Sequence, residues 1–152
     1  MSLETSTTAL DDDLDRIARE VFILVHAETV IIARFEDGGS IVHYVTGVGK
    51  HAGAIVGKKG ETATSGLCGV VREGNCPVLV GKTEGDTRIR QDIAVALGIT
   101  TALAVPIEVN HELFGAIVVL NRFDGGEFSE SDSIALSEYV RLLTDRGENR
   151  LG

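Results

Sequence analysis

The chain has 152 residues, 43% of them hydrophobic and 24% charged, with a formal charge of −9 and a pI ≈ 4.8. That length suits one domain with a sizeable core, and a mean hydropathy of +0.16 suits a globular one; the acidic balance, with no basic run longer than Lys58-Lys59, argues against nucleic acid as a direct partner. No apolar run reaches the roughly 20 residues of a membrane span and the acidic N-terminus is unlike a signal peptide, so a cytoplasmic location is expected, where Cys68 and Cys76 stay reduced.

Residues 1 to 7 are polar and are read as disordered, with Met1-Ser2-Leu3 in part a cloning remnant. A single domain is expected over 8–146 and a flexible tail over 147–152. The first element is a helix running to about His26. Leu10, Leu14, Ile17, Ala18, Val21, Phe22 and Val25 recur at helical spacing, Thr7 or Thr8 can cap it, and Asp11, Asp12 and Asp13 sit near its positive end. Thr29 to Phe35 and Ser40 to Val45 then read as strands joined by the turn Asp37-Gly38-Gly39.

The glycine-rich stretch from Gly47 to Gly60 reads as a loop forming a flexible pocket rim, since Gly47-Val48-Gly49-Lys50 fits neither phosphate-loop nor dinucleotide spacing. Ser65 to Arg72 is a short helix stopped at Gly74, Pro77 to Val80 a short strand, and Ile89 to Leu97 a helix ended by Gly98. Two long Val/Ile/Leu-rich strands, Thr101 to Val109 and Leu113 to Asn121, flank the turn Asn110-His111-Glu112 as a central hairpin. Ser129 caps a last helix with Asp132 three residues on, and Ile134, Leu136, Tyr139, Val140 and Leu143 form its apolar stripe. The order α-β-β-α-β-α-β-β-α predicts an α+β fold: a mostly antiparallel sheet, the terminal helices on one face, short helices and loops covering a pocket on the other.

Several stretches carry a resemblance to a GAF domain over nearly the whole chain. They are Ala27 to Phe35, Gly66-Leu67-Cys68-Gly69, Leu103-Ala104-Val105-Pro106-Ile107, Leu113 to Arg122, and Phe128-Ser129-Glu130-Ser131-Asp132. The last two resemble the Asn-Lys…Phe-x-x-x-Asp-Glu motif of cyclic-nucleotide-binding members. Here it stands as Asn121, Arg122, Phe128 and Asp132, with Ser133 in the glutamate's place. An ion pair between Arg122 and Asp132, as scaffolding for the hairpin and the last helix, is what the motif implies, and Arg forks onto a carboxylate better than Lys does.

The resemblance places ligand between the sheet and the short helix. It implies a lining of Ile31, Thr46, Gly47, Leu67, Cys68, Thr100, Thr101 and Val118, with Asp92 on a lid helix. The acidic and aromatic groups by which the phosphodiesterase relatives hold a guanine fall here on Val118, Gly47 and Thr46, which removes the base-edge hydrogen bonds and disfavours a cyclic nucleotide.

Cys68 near a helix N-terminus is the sharpest candidate for thiol chemistry, set against the commoner fate of a small buried apolar residue. GAF-fold free methionine sulfoxide reductases carry a similar Gly-x-Cys-Gly, but the segment where they place the active-site cysteine is here Thr83 to Ala94, which has none. Cys68 is followed by Gly69 rather than His, and aromatic content is 5%, so no bilin is expected. Nor is haem, His43 being read as a solvent-facing strand residue, or a metal, since no ligand spacing is present. No Ser/His/Asp set or carboxylate pair stands at a usable spacing, so no catalytic residues are assigned. The leading expectation is a ligand-sensing module of a signalling or transcription-control protein, dimeric through its terminal helices and coupled to an output domain. Alternatives are a free methionine-R-sulfoxide reductase-like enzyme and a ligand-free dimerisation module. Surplus apolar residues, Ile23 and Leu24 on the first helix and Leu142 and Leu143 on the last, motivate the homodimer.

Overall fold

The computed structural model describes the backbone of residues 3 to 147 and the side chains of residues 13 to 144. The chain runs α1 (Leu3–Leu24), β1 (Ala27–Glu36), β2 (Ile41–Gly49), α2 (Ala52–Ile55), β3 (Lys59–Glu61), α3 (Leu67–Gly74), β4 (Val78–Val80), α4 (Gln91–Leu97), β5 (Ala102–Val109), β6 (Glu112–Arg122) and α5 (Glu130–Gly147). The six strands form one sheet in the order β3-β2-β1-β6-β5-β4, and every neighbouring pair is antiparallel.

Strand side chains alternate between faces, so a strand buried on both sides reads as an unbroken apolar run. On β1, Val30 and Ile32 point to one face, Ile31 and Ala33 to the other; on β6, Ile117 and Val119 oppose Ala116 and Val118. The first face meets α1 and α5 together. Leu14, Ile17, Ala18, Val21 and Val25, at i, i+3, i+4, i+7 and i+11, pack with Leu136 and Val140 of α5 over Leu103, Val105 and Ile107. Burying a side chain such as Leu14 or Ile17 stabilises the fold by about 1.5–3 kcal/mol.

The second face is built differently. Ala33, Ala102, Ala104 and Ala116 lie there, and these small side chains let α3 sit close on β5 and β6 through Leu67, Cys68 and Val71. Tight turns close the hairpins: Asn110 (φ 53°) and His111 (φ 65°) supply the two positive φ angles that a two-residue hairpin turn needs.

Two local expectations need correction. The stretch from Gly47 to Gly60 is not all loop: β2 continues to Gly49, α2 follows, and β3 pairs Glu61 with Ile41 and Lys59 with His43. A segment of such low strand propensity is recruited by the edge it completes, which no local pattern reports. The helix α1 begins at Leu3, so Thr7 and Thr8 lie inside it and residues 3 to 7 are helical; once nucleated, a helix extends by one hydrogen bond per residue. Residues 1, 2 and 148 to 152, read as irregular tails, lie outside the described residues.

Candidate functional site

Between the second sheet face and the short helices α2, α3 and α4 lies a cavity of ≈ 580 Å³. Ile31 of β1 and Val118 and Leu120 of β6 form its floor, Leu67 and Cys68 of α3 one wall, and α4 with the segment before it the opposite wall and roof. Of the residues expected to line a ligand, Ile31, Leu67, Cys68, Asp92 and Val118 meet here.

Thr46, Gly47, Thr100 and Thr101 do not line it. A bulge in β2 is the reason for the first: Ile31 pairs with Gly47 and Ile32 with Thr46, but Ala33 pairs with Tyr44, so one extra residue is accommodated. Thr46 is thereby turned to the helical face, where its hydroxyl donates to the Asp15 carboxylate of α1, and Tyr44 is turned into the cavity. Gly47 lies behind Ile31; a Cβ there would stand 2.8 Å from Ile31 Cδ1 and 2.6 Å from the Val30 carbonyl, so its role is close strand approach.

Thr100 and Thr101 serve the scaffold. Asn121 Oδ1 accepts from Thr100 N at 2.7 Å, Thr100 Oγ1 at 3.1 Å and Thr101 N at 3.3 Å, while Asn121 Nδ2 donates to the Gly98 carbonyl at 2.9 Å and to Glu28 Oε1 at 3.3 Å. Asn121 holds φ 61°, a left-handed value that Asn tolerates better than most residues. The Thr101 hydroxyl donates to the Val80 carbonyl and accepts from Phe128 N at 3.0 Å, while the Phe128 ring is buried in the core. Arg122 forks: Nε and Nη2 reach Asp124 at 3.1 and 3.0 Å, and Nη1 reaches both Asp132 oxygens at 3.0 and 2.9 Å. Asp132 Oδ2 also accepts from Ser129 N at 2.9 Å, closing the first turn of α5. The Asn121, Arg122, Phe128, Asp132 set thus joins the end of the hairpin to α4 and α5, outside the cavity.

Inside the cavity the Ser65 hydroxyl donates to the Glu61 carbonyl at 2.5 Å. Tyr44 lines the cavity with Ser65 and Cys68, and burial raises its phenol well above the usual range. Burial likewise pushes the Cys68 thiol up to about 12, against a smaller opposing effect from Tyr44, so it stays protonated at neutral pH and is a poor nucleophile. Cys76 is exposed and lies outside the lining. His43 sits on the helical face of β2 with its Nδ1 3.0 Å from Glu36 Oε2, away from the cavity. Among the described residues no group of three His, Cys, Asp or Glu is placed to hold a metal.

The rim carries charge. Lys59 Nζ pairs with Glu36 at 3.1 Å and Arg90 Nη2 with Asp92 at 2.9 Å, which lowers the Asp92 carboxyl below its ordinary value. Lys58 makes no ion pair among the described residues. Lys58 falls in the stretch read as a pocket rim, whereas Tyr44, Ser65 and Arg90 were missed from sequence; the β2 bulge points to Tyr44 and the placement of α4 to Arg90.

The roof is tied at its base. Thr83 N donates to the Thr100 carbonyl at 3.0 Å and the buried Thr83 hydroxyl to the Ile99 carbonyl at 2.6 Å, which brings the two ends of the α4 segment together. Gln91 Nε2 binds the Thr83 and Asp86 carbonyls at 2.7 and 3.0 Å, fixing the start of α4 to its own approach loop rather than to the sheet.

Comparison with known proteins agrees with this arrangement. The GAF domain of an Acinetobacter phosphoenolpyruvate-protein phosphotransferase superposes with TM-score 0.73 at 20% identity, covering 95% of this chain and 93% of that one. A Neisseria meningitidis free methionine-R-sulfoxide reductase, solved with its substrate, gives 0.74 at 14%, covering 96% and 83%. A GAF domain/HD domain protein from Geobacter sulfurreducens gives 0.73 at 13%, covering 90% and 92%. At such identities these likenesses speak to the fold alone, and among curated proteins none matches the chain. The sequence model of the GAF domain matches residues 9–144, nearly the whole of the sheet and its helices, and the chain belongs to the GAF domain family.

Proposed function

We propose that the chain is the regulatory, small-molecule-sensing domain of a cytoplasmic signalling or transcription-control protein. The cavity beneath α4 takes the ligand, and α1 and α5, pairing with a second copy, pass the change to an output domain. GAF domains are ligand-binding regulatory modules, and the observation that carries the reading is the cavity itself: ≈ 580 Å³ with an apolar floor, inside the range of about 300–1,000 Å³ in which small-molecule sites fall. Exposed Ile23, Leu24 and Leu142 support helix pairing, whereas Leu143 packs on the core. Among the described residues no helix is long and apolar enough to cross a membrane.

A reductase reading is weaker, because Cys68 is the cysteine that lines the cavity and burial holds it as a thiol. Turnover of free methionine sulfoxide by the wild type is expected to be absent. The sensor reading is tested by native mass spectrometry of gently isolated protein, alongside Val118→Trp, which fills the floor. A bound small molecule in the wild type that disappears in the variant supports it. Bare protein whose melting is untouched by any member of a metabolite collection would leave only the dimerisation role, which sedimentation at micromolar concentration measures separately.

A further inference from the structure

The distribution of unmet polar groups in the cavity specifies more than the presence of a ligand. A sugar or a purine carries donors and acceptors all round, and each one left against apolar side chains loses its water without replacement. The floor here is Ile31, Val118 and Leu120, with Leu67 and Ile99 beside it, and none of these side chains offers a hydrogen bond. Of the cavity's hydroxyls, that of Ser65 donates to the Glu61 carbonyl at 2.5 Å, and the Tyr44 phenol lies buried beside Cys68 at the wall, away from the floor.

What remains is at the mouth. The charged side chains at the cavity are Lys58, Arg90 and Asp92, two cations against one anion in a chain of net charge −9; Lys59 also lines it, but its side chain turns to Glu36 on the helical face. Lys59 is engaged by Glu36, and Arg90 by Asp92 through Nη2. The Lys58 ammonium has no ion-pair partner among the described residues, and the Arg90 guanidinium retains N–H groups beyond the one given to Asp92. A local excess of positive charge on an acidic protein draws anions to that one opening.

Resting on the sensor reading above, we infer that the ligand is an amphipathic monoanion, a carboxylate with a compact hydrocarbon or aromatic body: the body lies on Ile31, Val118 and Leu120, and the carboxylate stays at the mouth beside Lys58 and Arg90. Polar atoms are confined to one end of such a molecule, as they are in the site. The same arrangement rejects a cyclic purine nucleotide, whose base edges would face the floor unpaired.

The test uses one body with three heads: 2-naphthylacetate, its primary amide, and 2-(2-naphthyl)ethylammonium, with cyclic GMP as a fourth probe. The chain contains no Trp, which leaves the naphthalene emission readable by anisotropy. The acid is expected to bind about fivefold more tightly than the amide, as one half-exposed ion pair allows, and the ammonium more weakly than both. Lys58→Ala should bring the acid down to the amide's affinity while leaving the amide unchanged, and raising salt should weaken the acid alone. Lys82→Ala, on a lysine outside the cavity, should alter nothing. Equal binding of acid and amide, or insensitivity of the acid to Lys58→Ala, overturns the anionic assignment and leaves the sensor reading standing. Binding of cyclic GMP in preference to the acid overturns the assignment too. Failure of the acid to bind the wild type overturns the assignment as well, and the sensor reading then stands or falls on native mass spectrometry and the metabolite collection alone.

Discussion

Replacing Asn121 tests the scaffold beneath the lid. In Asn121→Ala the Thr101 amide, which belongs to a buried residue, loses its acceptor at 3.3 Å, a loss of about 1–3 kcal/mol. Thr100 and Gly98 are exposed, so water takes over their bonds and they add little. Alanine must also hold φ 61°, at a further cost of about 1–2 kcal/mol. The sum is about 2–5 kcal/mol, a large part of the 5–15 kcal/mol typical of a domain. With a urea m-value of about 2 kcal/mol/M, the midpoint should fall by roughly 1–2.5 M. Asn121→Gly relieves the φ contribution and should recover about 1 kcal/mol of the loss. Asn121→Asp keeps the acceptor but sets a carboxylate against Glu28 and the Gly98 carbonyl, so its deficit should shrink as pH falls through the carboxylate range. Urea titrations followed by far-UV circular dichroism give all three values. A midpoint within about 0.3 M of wild type for Asn121→Ala, or a glycine variant no more stable than the alanine one, would refute this account of the clamp.

Other outcomes follow from single sites. Native protein treated with a disulfide reagent at pH 8 should release one thiol equivalent rapidly, from exposed Cys76, and a second only on unfolding; two rapid equivalents would show Cys68 to be accessible and ionised. Glu36 is held at about 2, chiefly by Arg34 and also by Lys59 and His43, against an ordinary value near 4.5. Its contribution is therefore complete above about 4.5 and lost as pH falls toward 2, and Glu36→Gln should flatten the stability profile in that window. Gly115→Ala would put a Cβ 2.0 Å from the Ala33 carbonyl and should prevent β1 and β6 from pairing, whereas Gly125→Ala, in open space at φ 79°, should cost only about 1 kcal/mol; equal melting temperatures for the two would contradict the register.

The parts of the fold legible in the sequence are those where burial imposes a period. The stripe of α1 and the doubly buried runs of β1, β5 and β6 could be read directly, since each signal comes from side chains meeting a continuous apolar layer. The β2 bulge leaves no such trace: one extra residue exchanges Thr46 for Tyr44 at the cavity, and nothing in Tyr44-Val45-Thr46 announces it. Thr100 and Thr101 misled for another reason. Small hydroxyl residues beside a pocket look like ligand contacts, yet here they meet the hydrogen-bond demands of Asn121, Val80 and Phe128, a need that exists only once β6 and α4 are in place. Ile31, Leu67, Cys68, Asp92 and Val118 could be assigned to the cavity by resemblance and Lys58 to its rim by the glycines around it, while the charge of Arg90 at the mouth emerges only from the placement of α4.

The stitch between Thr83 and the Ile99–Thr100 carbonyls gives the lid a kinetic character of its own. Because the two ends of the α4 segment are fastened to each other, and Gln91 fastens the start of α4 to its own approach loop, the segment between them forms a closed excursion from the sheet that can lift and return without unzipping any strand. Its opening free energy lies below that of global unfolding, since only short contacts on the outer layer are given up. A bound molecule, by holding the excursion shut, lengthens its own residence time and slows amide exchange in α4 while leaving β5 and β6 untouched.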